Sequence, residues 1–494
     1  MRYRSRSEAS SPRRREGILV LASAAAGPLV SVLSTPLDRG YTWDEAVYVA
    51  RATLNDNWRH LWGPARMTGM PLVLSPVTAV TDNVVMMRLW LAMVGVMLAL
   101  VAVRLWSRLV GTAAPAAFLL LAISWQVGWF STTGYPNWFT GLLILGLCGW
   151  TVLSVEGEPV SSWAGFFLAF LAMQMRWTDV IVAWAGVLVW LVMADPTIRS
   201  RGWSQEFRKR STALASRILP ALTGAGVSLV LWVVESEMYF GSAWQRLSFL
   251  RDVEEWERFS AAQYGQLLWF YGDMPDGRGV LNWLPLAFLV AVVVLAILGL
   301  RLPPSGARRA VSAAAWGSVA LGLLYLTSPG DSLRRFIIPC LVLAAVPAGA
   351  GWVRAWTLFR RGVPGARAMS AVLVVLLITG AVGNAALLHH LGDREGGRGT
   401  EYASLAARME EIAEESECTF LSVYSFPQIQ IGTHCLGDRR RFDKEWSEPD
   451  DDLLGGRLSF LASPIDPSPA WLAAGWLLDS RHGGWGLWVR DGRD

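Results

Sequence analysis

Charge is scarce in this sequence. Only 17% of its 494 residues are Asp, Glu, Lys or Arg, against 53% hydrophobic residues and a mean hydropathy of +0.34, a balance that excludes an ordinary soluble protein. Lysine is almost absent: 42 of the 44 basic residues are Arg, the exceptions being Lys209 and Lys444. Four cysteines are too few for a disulfide scaffold, and neither a CxxC nor a Cys/His grouping of zinc spacing occurs. A glycine-rich phosphate loop and a nucleophile elbow are also missing. Without an internal repeat, and with few ionisable residues inside the apolar runs, the chain does not read as an inverted-repeat carrier or a pump. The apolar runs are too long for the ~10-residue alternating strands of a membrane barrel. Nothing points to nucleic acid.

What is present is a succession of long uncharged stretches, among them 17–37, 109–155, 279–300, 310–330 and 368–392. About 20 such residues cross the hydrocarbon as a helix, and a helical bundle is the remaining spanning solution. Eleven spans are predicted, near 17–37, 84–107, 110–130, 137–155, 159–175, 178–194, 218–238, 279–300, 310–328, 335–353 and 368–391. With the N-terminus and its Arg13, Arg14 and Arg15 in the cytoplasm, the N-terminal tail and the loops on the same side carry 21 basic residues. The opposite side carries 12 up to residue 392, as the positive-inside rule requires. Residues 13–37 also fit a cleaved signal peptide, although 21 apolar residues suit a retained span better. Residues 1–392 hold a net charge of +12 and residues 393–494 one of −8. The expectation is a basic cytoplasmic tail over 1–16, a transmembrane domain over 17–391 and an extracytoplasmic domain over 392–494, in the plasma (inner) membrane.

Three polar insertions are predicted on the outer side: 38–83, 239–278 and the tail. In the first, Val47, Ala50, Leu54, Trp58 and Leu61 recur at helical spacing, and in the second Trp, Tyr and Phe interleave with charges. Both patterns suit external interfacial helices. The tail offers a helix, EYASLAARMEEIAEE, then strand-like CTFLSVYSF and GWGLWVRD, and so a small α/β domain. In an oxidising compartment Cys418 and Cys435 are placed to form a bridge; two free thiols are the alternative.

Asp44 and Glu45 follow the first span directly. A carboxylate there can deprotonate an acceptor hydroxyl or hold a divalent cation. Thr42-Trp43-Asp44-Glu45 equally fits a capping box, with Thr42 as N-cap and Glu45 at the third position. In SPGDSLRRFIIPC, Arg334 and Arg335 open a late span, where guanidiniums suit a lipid-linked phosphate or snorkel to ordinary headgroups. Arg88 begins the second span. Arg176 and Asp179 occupy the tip of a tight hairpin, as an ion pair or as part of a site. Tyr271 and Asp273 in FYGDMPDG are cavity candidates that a turn explains equally well.

The residues DEAVY after the first span, WGPARMTGMPLVL, Arg88 and LRRFIIPCL together resemble the polytopic GT-C glycosyltransferases. The likeness is closest to the branch of protein O-mannosyltransferases, lipid A aminoarabinose transferases and rhizobial core-sugar transferases. It extends over most of 17–391. The resemblance implies a mainly α, GT-C-like transmembrane bundle of about 11 spans. It also implies a polyprenyl-phosphate-sugar donor, transfer with inversion to a hydroxyl of an envelope glycan, glycolipid or protein, and a site drawn from Asp44, Glu45, Tyr48, Arg334 and Arg335. Relatives commonly carry an acid in the second external loop; STTGYPNWF has none, only Asn137. That leaves Asp44, with Glu45 beside it, as the principal catalytic acid–base candidates, and Asp44 as the metal ligand were Mg or Mn to take part. A membrane scaffold, or a flippase for lipid-linked sugars, is the alternative function.

Overall fold

The computed structural model describes residues 10–53, 66–194, 203–253, 284–301, 306–326 and 333–413, and in the tail 419–422, 436–437, 460–463, 476–482 and 485–490. Fourteen helices are described: α1 (Ser10–Ser34), α2 (Trp43–Ala52), α3 (Gly69–Thr78), α4 (Val84–Val110), α5 (Ala113–Ile123), α6 (Trp125–Phe130), α7 (Pro136–Glu156), α8 (Ser162–Met193), α9 (Trp203–Phe240), α10 (Ala243–Val253), α11 (Leu284–Leu300), α12 (Gly306–Leu326), α13 (Leu333–Arg360) and α14 (Ala366–Ala413). Eight are long and apolar enough to cross a membrane. The chain is a multi-pass membrane protein. Every one of the eleven expected spans is helical over most of its length. Cys418, Cys435, Tyr271 and Asp273 lie outside the described residues, as does the side chain of Arg334.

Two elements show how sequence and packing divide the work. In α8 the helical pattern breaks at Arg176, whose backbone is extended (φ −160°, ψ 86°). A Cβ on Gly165 would strike the Trp150 ring, while Trp184 Nε1 donates to Thr151 Oγ1 at 3.0 Å. Residues 165 and 184 therefore lie beside neighbouring residues of α7, although a straight helix would hold them ~28 Å apart. The helix folds back on itself at Arg176, so two of the predicted spans form the expected hairpin. The span expected over 110–130 is interrupted instead. Ser124 adopts an extended conformation (φ −71°, ψ 130°) between α5 and α6, and its hydroxyl bonds the Gln126 side chain. Ser124 takes the N-cap position of α6 without a side-chain capping bond, and the run breaks there although its hydropathy gives no sign of a break.

The chain forms two compact units. One comprises residues 1–35, 64–73 and 89–389, the other 36–63, 74–88 and 390–494. In the first, α13 runs against α5, α7, α11 and α12. A Cβ on Gly351 would meet the Leu295 carbonyl oxygen and one on Gly299 the Pro347 carbonyl oxygen. Small residues thus let α11 and α13 touch backbone to backbone, the packing available where apolar burial drives no association.

In the second unit a five-stranded sheet is described, β1 (Thr419–Ser422), β2 (Leu436–Gly437), β3 (Phe460–Ser463), β4 (Trp476–His482) and β5 (Trp485–Arg490), in the order β2-β1-β3-β5-β4. β1 is parallel to β2 and β3, whereas β5 is antiparallel to β3 and β4. The end of α14 joins the sheet through Arg408, which donates from Nε and Nη2 to the two carboxylate oxygens of Asp479, both at 2.9 Å. Asp479 sits where the β4–β5 register shifts. The α/β expectation for the tail therefore holds, and the glycine-rich 392–399 lies within α14.

Candidate active site

Residues 36–53 and 84–88 belong to the second unit. Thr42 is extended (φ −75°, ψ 164°) and starts α2. Its backbone N–H donates to Glu45 Oε2 at 3.3 Å, the glutamate half of a capping box. Glu45 does more than cap. Arg88 Nη1 donates to Glu45 Oε1 at 2.7 Å and Arg88 Nη2 to Glu45 Oε2 at 3.2 Å, with further bonds from Nη2 to the carbonyls of Arg39 (3.0 Å) and Gly40 (3.1 Å). The ion-paired side chains are 1% and 2% exposed. Such a fork-to-fork pair is worth its desolvation only when the geometry is this complete. Arg88 thus ties the segment 39–45 to the start of α4 and fixes the first turn of α2.

That turn presents Asp44, which is half-buried where Glu45 is enclosed. Ala46 to Ala50 are buried, Tyr48 among them. The helix expected at a membrane interface is therefore covered on nearly every side over its described length. Beside it, Tyr41 donates to Met87 Sδ at 3.8 Å. Burial, and next the Glu45 carboxylate, push the Tyr41 phenol well above its ordinary range, so Tyr41 acts as a neutral phenol at any physiological pH.

Arg335, Asn137 and the hairpin tip belong to the first unit. Arg335 stands in the first turn of α13, with its guanidinium carbon 5.1 Å from the Tyr135 ring centre and 5.3 Å from that of Phe336. Tyr135 is the N-cap of α7. Asn137, one residue into that helix, is buried, and its Nδ2 has no hydrogen-bond partner among the described residues. The Arg176 guanidinium lies 4.3 Å from the same Phe336 ring, its Nε donating to Asp179 Oδ2 at 2.7 Å. Tyr325, at the end of α12, donates to that same oxygen at 2.8 Å and stacks on Phe336 at 6.1 Å. The starts of α7 and α13, the end of α12 and the kink of α8 meet here.

Another buried arginine went unremarked in the sequence. Arg246 of α10 donates to the Arg66 carbonyl at 2.6 Å, pairs with Glu235 at 3.7 Å and lies 5.2 and 4.9 Å from the Trp232 and Phe240 rings. Glu235 also accepts from Thr68 at 2.6 Å. Burial lowers the Arg246 pKa, while Glu235 opposes that shift. Only its aromatic neighbourhood was visible in the sequence, because the acid arrives from the preceding helix and the carbonyl from residue 66. Among the described residues no three His, Cys, Asp or Glu side chains converge as a metal site would require.

The chain is a polytopic helical membrane protein with arginines at helix ends, a carboxylate after the first span and a mixed sheet in the second unit. No family model matches the sequence, and no curated protein matches it. Among solved structures the chain is similar to ArnT from Cupriavidus metallidurans bound to undecaprenyl phosphate, with a TM-score of 0.64 at 14% identity over 96% of this chain and 98% of that one. The same protein in its apo state gives a TM-score of 0.64 and 14% identity, over 95% and 97%. The similarity runs from end to end, tail included. The resemblance read from the residues therefore stands at the level of the fold.

Proposed function

We propose that this chain is a membrane glycosyltransferase that moves a sugar from a polyprenyl-phosphate donor to a hydroxyl of a cell-envelope acceptor on the extracytoplasmic face. The observation that carries this reading is the whole-length likeness to a protein that binds undecaprenyl phosphate. A carboxylate held at the start of α2 and an arginine in the first turn of α13 lend it chemical support.

In this reading Asp44 accepts the proton of the acceptor hydroxyl as its oxygen attacks the anomeric carbon. The bond from that carbon to the phosphate oxygen breaks, its electron pair leaves with polyprenyl phosphate, and the sugar inverts. Arg335, with Arg334 beside it in sequence, meets the charge that grows on the departing phosphate; loss of one fixed electrostatic contact of this kind typically costs ~10²–10³ in rate. Glu45 and Arg88 act through geometry, holding the turn that carries Asp44. A divalent cation at this site would take the Asp44 carboxylate as its ligand.

Asp44→Asn keeps the shape and removes the base. In membranes supplied with lipid-linked donor it is expected to lower transfer by ~10²–10⁴, the usual contribution of a positioned proton acceptor, with expression unchanged. Undiminished transfer would remove Asp44 from the mechanism.

A further inference from the structure

The geometry points to Arg176 as a second guanidinium of the donor-phosphate site, sharing the Phe336 ring with Arg335 and anchored from below by Asp179 and Tyr325. This rests on the reading that Arg335 meets the lipid phosphate. The two guanidinium carbons lie 4.3 and 5.3 Å from one ring centre, so they are within about 10 Å of each other, and arginine is the side chain suited to bidentate phosphate recognition.

The simpler view makes Arg176–Asp179 a plain ion pair. Burial argues otherwise. The Asp179 side chain is 1% exposed and the Arg176 side chain 23%, so the acid is sealed in while the guanidinium emerges from it. One oxygen of Asp179 accepts from both Arg176 and Tyr325, which fixes the acid as an anchor 146 residues from the phenol that completes it. The arginine is also not part of a regular helix, being the extended residue at which α8 turns back.

The surroundings favour an anion. α7 and α13 both begin here, and helix N-termini carry partial positive charge and unsatisfied N–H groups. Asn137, in the first turn of α7, adds a buried amide donor without a hydrogen-bond partner among the described residues. In this arrangement Arg176 touches the phosphate, and Asp179 and Tyr325 are positioning residues.

The test is binding of undecaprenyl phosphate to the full chain in phosphatidylcholine nanodiscs, with undecaprenol as the uncharged control and added phosphatidylglycerol as a competing headgroup. Arg176→Gln and Arg335→Gln should each weaken undecaprenyl phosphate at least tenfold and leave undecaprenol unchanged. Arg176→Lys keeps the charge and the Asp179 pair while losing the fork; it should fold, and should weaken the phosphate ligand several-fold. Tyr325→Phe should raise KM for the donor with little change in kcat. If Arg335→Gln weakens binding and the folded Arg176 variants do not, Arg176 is structural and the inference is overturned while the proposed function stands. If none of them weakens it, the phosphate assignment of Arg335 falls as well. Equal competition by phosphatidylglycerol would make this a headgroup site and overturn the donor assignment.

Discussion

Arg88 and Arg335 both stand in the first turns of apolar helices, and a sequence gives no means of ranking them. Their surroundings differ completely. Arg88 is enclosed, its Nη groups placed on Glu45 and two backbone carbonyls, whereas Arg335 is half-buried among aromatic faces at a meeting of helix ends. An arginine enclosed with its paired carboxylate holds a fold together. One that packs on rings and stays half-buried is placed to reach a ligand as well.

The largest expected effect tests that distinction directly. Removing one member of a buried pair leaves the other uncompensated, so Arg88→Ala should destabilise the protein by about 3–5 kcal/mol, read as a loss of folded protein in detergent. Arg335→Gln should cost about 1 kcal/mol or less, in keeping with an aromatic contact at a partly exposed site, while lowering the rate with the lipid-linked donor by ~10²–10³. Equal stability losses would erase the comparison.

A second prediction concerns the tail. Thr419 pairs with Leu436 in the parallel β1–β2 ladder, and a cysteine precedes each in the sequence. Neighbouring strands lie about 4.8 Å apart, within the reach of a disulfide. Peptide mapping without reductant should therefore find Cys418 linked to Cys435, with about 3 kcal/mol lost from the tail on reduction. Two free thiols in the unreduced protein would refute it.

The smallest effect is electrostatic. Arg408 holds the Asp479 carboxyl below its ordinary range, so the pair stabilises the fold at any pH above the unfolded carboxyl value near ~3.9. That contribution disappears as pH falls through the lower folded value. At a partly exposed site it amounts to less than ~1 kcal/mol. The acid limb of an unfolding-versus-pH curve should flatten in Asp479→Asn, and an unchanged limb would show that other carboxylates govern it.

The bundle was legible because hydrocarbon demands long uncharged helices, a pattern written in composition alone. The hairpin at Arg176 was legible too, since a charged pair interrupts the apolar run there. The break at Ser124 was not, because a serine at an N-cap position and a serine that rides inside a helix look alike. For the site, the capping box and the acidic pair could be read at 42–45, but the Arg88–Glu45 bond joins residues 43 positions apart. Tyr325 reaches Asp179 across 146. Contacts of that separation are set by how helices pack, and no local spacing announces them.

Use of a lipid-linked donor turns on Arg335 meeting its phosphate. An experimental structure of the chain with undecaprenyl phosphate bound is the decisive measurement. The phosphate is expected against the Arg335 guanidinium, beside Phe336. A phosphate seated away from Arg335 would overturn the donor assignment.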